Sequence, residues 1–216
     1  MGIIPTLASY LLPLLLPDIT KHHKNTVLII EELQSDEIIA RLQQDRLDLA
    51  FMSSPLDEND IREIPLFSEP FLLYLSVNHP LLRKEELVPD DLDPEDLLLL
   101  SEGHCFRNQA LNLCNARGKS TRRGFYYESG SIETLKGLVD RKMGYTLVPE
   151  LSVIEDLNAK PSIRRFKNPE PTREISLVCH ERFSREKLLE VVRDIVQRNL
   201  PENLTRGKTY TRIPWK

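Results

Sequence analysis

Two cysteines close the segment GHCFRNQALNLC at 103–114. They are Cys105 and Cys114, in a chain of 216 residues that has three cysteines in all. A thiolate is a nucleophile and a redox centre, so a cysteine pair so close in sequence raises the question of thiol chemistry. The residues between them read as a short helix with Phe106, Ala110, Leu113 and Cys114 at its apolar positions. Over that span a rise of about 1.5 Å per residue puts the two Cα atoms about 13–14 Å apart and on opposite faces. A disulfide needs Cα atoms within about 7 Å, so the helical form cannot hold the bond. If the two cysteines join, the segment must unwind, and one region then has two discrete folds governed by redox state. Closure of so short a loop costs little entropy. The main obstacle is the lost helix and the lost packing of Phe106 and Leu113.

The two thiols are not equivalent. Cys105 stands where the apolar run LLLLSEG (97–103) hands over to the helix, beside unpaired N–H groups and the positive end of the dipole, which favour a thiolate. His104 and Arg107 are close in sequence and are expected to add positive charge. Cys114 lies late in the helix, where the dipole opposes ionisation. Peroxide attacks thiolates, so Cys105 is the expected site of sulfenic acid formation and Cys114 the expected resolving thiol. Cysteine is also an ordinary buried apolar residue, and the spacing alone leaves a purely structural role open.

The elements that must position this segment alternate. Residues 2–6 read as a strand end running into the helix LASYLLPLLLPDITKHH, with Thr6 placed to cap it and Pro13 expected to kink it or delay its start. TVLIIEEL (26–33) reads as strand, SDEIIARLQQDRL (35–47) as helix and LDLAFMSS (47–54) as strand. FLLYLSV (71–77), LLLLSEG, RRGFYYES (122–129), GYTLVPE (144–150), SIRRF (162–166) and EISLVCH (174–180) are further strands. SIETLKGLVDRKM (131–143) and SREKLLEVVRDIVQRN (184–199) are helices, the latter amphipathic. Such alternation implies α/β architecture with parallel sheet and crossover helices. The expected fold is two Rossmann-like lobes, residues 1–76 with 180–200 and residues 77–179, the second carrying the redox segment at 103–118. Residues 201–216 read as a tail whose Arg206, Lys208, Arg212 and Lys216 make a short basic, solvated end.

Composition narrows the function classes. Hydrophobic residues make up 40% and charged residues 29% of the chain, the profile of a globular protein with a real core. The longest apolar stretch, 10–16, is broken by Pro13 and closed by Pro17, far short of the roughly 18–20 residues of a membrane span. No signal peptide is visible, so the expected location is the cytoplasm, where cysteines do not form a disulfide framework. A net charge of −4 gives no overall reason to bind a polyanion. Neither a G-x-G-x-x-G nor a P-loop pattern is present, and no nucleotide or other cofactor is expected. Cys179 beside His180, and His22 beside His23, lack metal-ligand spacing, so no metal is expected and Cys179 reads as a packing residue.

The GHC-x-R-x-Q-A-x-x-x-C pattern resembles the redox segment of the hydrogen-peroxide-sensing members of the LysR-type transcription regulators. IIPTLASYLLPLLLP, PLFSEPFLL (65–73), SIETLKGLV and GYTLVP resemble the effector-domain landmarks of that family, in the same order and over residues 2–200. The resemblance implies a two-lobed domain similar to periplasmic binding proteins, with Cys105 as the peroxide-reactive residue and Cys114 as the resolving one. It implies that Thr6 and Ser35 supply hydroxyls that hold peroxide or water, Ser35 replacing the family's usual threonine. It also implies a basic residue near the thiolate, which falls on Arg173. Phe106 and Asn108 stand where leucine and aspartate are expected. The resemblance further implies a homodimer or tetramer, with pairing through 131–143, a thiol reductant for resetting and contact with RNA polymerase in the whole protein. DNA binding is expected of a winged helix-turn-helix that this chain, opening at IIPT, does not contain.

Two rival readings remain. In one, this is a small-molecule effector domain of the same fold with incidental cysteines. In the other it is a thiol peroxidase, against which the chain has no P-x-x-x-[TS]-x-x-C loop. The expectation is a sensor and not an enzyme.

Overall fold

The structure, a computed structural model, describes residues 1–114, 129–205 and 210–214. The expected redox-segment end at 115–118, all of the expected strand 122–129 but Ser129, and Arg206, Lys208, Trp215 and Lys216 of the tail lie outside the described residues. In chain order the elements are β1 (Gly2–Ile3), α1 (Pro5–His22), β2 (Glu31–Glu32), α2 (Ser35–Gln43), β3 (Ala50–Ser54), β4 (Ile61–Leu75) and α3 (Cys105–Leu113). They continue with α4 (Ile132–Asp140), β5 (Tyr145–Pro149), β6 (Ile163–Arg165), β7 (Glu170–His180), α5 (Glu186–Asn199), α6 (Glu202–Thr205) and β8 (Tyr210–Arg212).

The chain divides into two compact units, Met1–Ser68 with Glu174–Gly207, and Glu69–Arg173 with Lys208–Lys216. Both division points fall inside continuous strands, β4 and β7, whereas the expected lobes divide at 76/77 and 179/180. The tail expected to stand apart from residue 201 instead supplies α6 to the first unit and β8 to the second.

In the first unit β1 pairs in parallel with both β2 and β3, and β3 pairs antiparallel with β7 from Ala50↔Val178 to Ser54↔Glu174. The expected strand over 26–33 shrinks to two residues, because β1 offers only Gly2 and Ile3 as partners. Val27 and Ile29 are left exposed. Helix α1 begins at Pro5, whose missing N–H costs nothing in the first turn. Ile4 is therefore the cap and Thr6 lies inside the helix, which corrects the expected cap. The helix continues through Pro13 and Pro17. Leu7, Leu11 and Leu15 recur every four residues along its buried face, and this packing opposes the backbone bonds that the prolines remove. Helix α1 packs on α5, where Arg198 and Asn199 each reach Asp18 at 3.1 Å.

In the second unit β4 lies between β5 and β6, antiparallel to both, with Leu73 opposite Leu147 on one side and Arg164 on the other. The apolar run 97–100 makes isolated bridges, Leu97 to Tyr145 and Leu100 to Ser129, where a strand was expected. Its Leu97, Leu98 and Leu100 are nevertheless buried. One core joins Leu72, Leu73, Tyr74, Leu147 and Val148 of the sheet to Phe106, Leu113 and Cys114 on one helical segment and to Leu135 and Val139 of α4. Ile132, Leu135 and Val139 of the α4 stripe thus serve the core of their own unit, and Leu138, packed against that core, stays partly exposed.

Leu73 is fully buried between two paired strands. Leu73→Ala is expected to lower the unfolding free energy by about 2–5 kcal/mol in equilibrium denaturation, and a loss under about 1 kcal/mol would contradict this account of the core.

Candidate functional site

Helix α3 is positioned from its first residue. Gly103 turns the chain with φ of 87°, a left-handed conformation that glycine adopts without a steric penalty, and His104 then caps the helix with its backbone. Cys105 follows as the first helical residue, buried, with no side chain capping the helix beside it. Its sulfur is therefore at the positive end of the peptide dipoles. Arg107 is buried too, but its Nη1 donates to the carbonyl oxygen of Leu100 at 2.7 Å, tying α3 to the preceding apolar run. Burial holds the His104 imidazole below its ordinary pKa. It is neutral at pH 7, and the positive charge expected of it beside Cys105 is absent.

Phe106 anchors the first turn. Its ring lies 5.2 Å from that of Phe71, and the Arg173 guanidinium carbon sits 5.1 Å from its centroid on a cation–π path. Arg173 is fully buried and paired with Glu69, itself fully buried: Nη2 and Nε lie 2.9 and 3.0 Å from the same carboxylate oxygen. The other oxygen of Glu69 accepts the Leu151 N–H at 3.2 Å. The cation assigned by resemblance is thus placed on the residue next to Cys105, with its charge balanced by a carboxylate.

The far end of α3 carries Cys114 as the cap, its N–H donating to the Ala110 carbonyl at 3.0 Å. All three cysteines are buried free thiols. Burial pushes the Cys114 pKa up to about 12, with the Tyr145 hydroxyl pulling in the opposite direction. Cys114 is therefore a neutral thiol at any physiological pH. With Cys105 and Cys114 at the two ends of a helix, the pair is separated as the rise per residue requires. Two side chains from the middle of α3 reach the residues just after β8: Gln109 Nε2 donates to the Ile213 carbonyl at 3.0 Å and Asn112 Nδ2 to the Pro214 carbonyl at 2.8 Å. β8 itself is held by parallel pairing with Glu170, Pro171 and Thr172.

Thr6 and Ser35 belong to the first unit, Thr6 in the first turn of α1 and Ser35 as the first residue of α2. Both are buried, and the Ser35 hydroxyl has no hydrogen-bond partner among the described residues. Cys179 also lies in the first unit. Burial raises its pKa against the opposing influence of Arg62, which fits packing and not reactivity. Glu69, Tyr145 and the segment 210–214 were not singled out from sequence as parts of a site. Glu69 left a signal there, a carboxylate amid the apolar strand FSEPFLLYL, whereas nothing in the pattern marked Tyr145.

The model of the LysR substrate binding domain matches residues 1–201, and the chain belongs to that family. Within it the similarity runs to OxyR. The chain is 30% identical to OxyR from Porphyromonas gingivalis, whose crystal structure superposes with a TM-score of 0.87 over 99% of this chain and 97% of that one. It is 32% identical over 180 residues to the hydrogen peroxide-inducible genes activator of Haemophilus influenzae, covering 82% of this chain and 59% of the relative. It is also 32% identical over 202 residues to the DNA-binding transcriptional dual regulator OxyR of Escherichia coli K12, covering 89% and 64%. The fold is that of a periplasmic-binding-protein-like regulatory domain, and the chain spans less than two thirds of these two relatives' length.

Two outcomes follow from the electrostatics. Arg173→Ala removes the countercharge of a buried carboxylate and is expected to cost about 3–5 kcal/mol, most of it recovered in Glu69→Leu/Arg173→Met; denaturant unfolding of both variants measures this, and equal losses would contradict it. Cys114 ionises near 9.0 when unfolded and near 12 in the fold, so its protonated form favours the fold below pH 9 and that contribution is lost as pH rises toward 12. Cys114→Ala should therefore fall less steeply in stability across that alkaline window than the unsubstituted domain.

Proposed function

We propose that this chain is the redox-sensing regulatory domain of a hydrogen-peroxide-responsive transcription activator. The observation that carries the reading is the placement of one thiol at the positive end of α3 and a second, protonated and buried, at its other end. Cys105, as thiolate, attacks one oxygen of peroxide. The O–O bond breaks, the sulfur becomes a sulfenic acid, and the second oxygen leaves as water after taking up a proton. Cys114 then attacks that sulfur; its own proton and the sulfenic hydroxyl leave as a second water, and the disulfide forms. A thiol reductant of the cell reverses it. Thr6 and Ser35 are proposed as the hydroxyls that assist the first step, and Arg173, through Phe106, as support for the first turn of α3.

The disulfide cannot coexist with helical α3. Oxidation would therefore unwind the helix and free Phe106 and the main-chain contacts of Gln109 and Asn112, a local rearrangement large enough to bias how two protomers meet. The domain acts in this reading as a dimer or tetramer, and as a sensor consumed and reset once per signal, not as an enzyme. DNA is met through a helix-turn-helix outside this chain, RNA polymerase through the assembled protein, and the setting is the reducing cytoplasm. No helix among the described residues is long and apolar enough to cross a membrane.

Titration of the reduced domain with peroxide, followed by peptide mapping, tests the reading. The expected result is a stoichiometric Cys105–Cys114 disulfide with Cys179 free, and a sulfenic acid at Cys105 in Cys114→Ser. No reaction at equimolar peroxide, or a disulfide through Cys179, would overturn it.

A further inference from the structure

We propose that residues 210–214 are a strap on the redox helix: gripped by Gln109 and Asn112, they keep α3 helical, hold Cys105 and Cys114 apart and set the thiol–disulfide equilibrium of the pair. The proposal rests on the redox reading of the cysteine pair given above, and within it Gln109 and Asn112 are positioning residues.

The strap is pinned along two lines, both within the second unit. On one side β8 pairs in parallel with the start of β7, from Glu170↔Tyr210 to Thr172↔Arg212. The Ile213 N–H extends that pairing by donating to the Thr172 carbonyl at 2.8 Å, and the Ile213 side chain packs against the core that also holds Phe106 and Leu113. On the other side two successive carbonyls bind α3: Ile213 accepts from Gln109 Nε2 at 3.0 Å and Pro214 from Asn112 Nδ2 at 2.8 Å. Residues three apart share a face of an α-helix but lie on opposite faces of an extended chain. The two carbonyls therefore bind Gln109 and Asn112 together only while α3 is helical.

Gln109 makes the grip costly to release. Its side chain is fully buried, and its Oε1 has no hydrogen-bond partner among the described residues. The Nε2 bond to Ile213 is what keeps a buried amide from being wholly unpaired, a state that carries the full desolvation penalty. While α3 is helical, lifting the strap strands that amide in the core. Once α3 unwinds, the amide can meet water and the penalty is gone.

This coupling is reciprocal. Disulfide formation needs α3 dismantled, because the Cα atoms at its two ends are too far apart for the bond. An attached strap thus favours the thiol form by the same factor by which disulfide formation loosens the strap. With glutathione disulfide as oxidant the exchange is Cys105–SH + Cys114–SH + GSSG → Cys105–S–S–Cys114 + 2 GSH, two electrons and two protons passing from the protein thiols to glutathione. The strap appears on neither side of this balance. It acts through the fold of α3 alone.

Two measurements on the whole chain test the strap. Amide hydrogen exchange at Ile213 is expected to be about tenfold faster in the disulfide form than in the thiol form, for two lost hydrogen bonds. Ile213→Pro removes the N–H bonded to Thr172 and leaves α3 and both cysteines unsubstituted. In a glutathione redox titration this variant is expected to favour the disulfide by about three- to tenfold, a potential more negative by up to about 30 mV. A merely structural strand stabilises both redox forms alike and cancels in that equilibrium. Equal exchange at Ile213 in the two forms, or an unmoved potential in Ile213→Pro, would overturn the strap. If that variant does not fold, Asn112→Ala decides. Asn112 is exposed and alanine is the better helix former, so altered helix propensity cannot produce a shift toward the disulfide. That shift is expected, by about twofold, and a shift toward the thiol form, or none, would overturn the proposal. Failure of the unsubstituted protein to form the Cys105–Cys114 disulfide is a different outcome, and it removes the redox reading itself.

Discussion

The rise of an α-helix is the constraint on which this domain turns. A helix carries its two ends apart by about 1.5 Å per residue, and α3 has a cysteine at each end of its run. While α3 stands, the thiols cannot meet; if they are to meet, α3 must be dismantled. So short a helix is marginal by itself, and what holds it is its surroundings. Phe106 packs against Phe71 and Arg173, Arg107 binds the Leu100 carbonyl, and Gln109 and Asn112 bind the main chain just after β8. The stability of the thiol form is thus distributed over contacts that oxidation would break together, which suits a two-state element.

The same helix divides the chemistry between its ends. At the first residue the peptide dipoles favour negative charge, and the neighbouring cation, Arg173, is balanced by Glu69. Its positive charge is thereby retained in a dry site that would not tolerate it alone. At the last turn burial dominates and the thiol stays protonated. In the proposed reading the first sulfur reacts with peroxide and the second waits to resolve it. The Phe106 ring, on the residue next to Cys105, lies against the Arg173 guanidinium of the Arg173–Glu69 pair.

Much of this was legible in the sequence, and the remainder was lost for identifiable reasons. The helix at 103–114 and its glycine entry followed from apolar spacing and turn chemistry. The α/β alternation and the C-terminal amphipathic helix were equally plain. The strand expected at 26–33 contracted because strand length depends on the partner, and β1 is two residues long. A late helix start was one expectation for Pro13, yet α1 begins at Pro5 and runs through Pro13, with Leu7, Leu11 and Leu15 buried along it. His104 and Arg107 were judged by charge, but burial neutralised one and a backbone carbonyl engaged the other. Glu69 and Tyr145 could not be assigned from sequence because their partners lie far along the chain, and only the fold brings an acid to Arg173 or a phenol to Cys114.

The central claim is that the disulfide and helical α3 exclude one another. Amide hydrogen exchange over residues 105–114, measured before and after one equivalent of peroxide, tests it most directly. The account predicts protected amides in the thiol form, the Cys114 N–H bonded to Ala110 among them, and their rapid exchange once the disulfide has formed. A Cys105–Cys114 disulfide formed with that protection intact would contradict it.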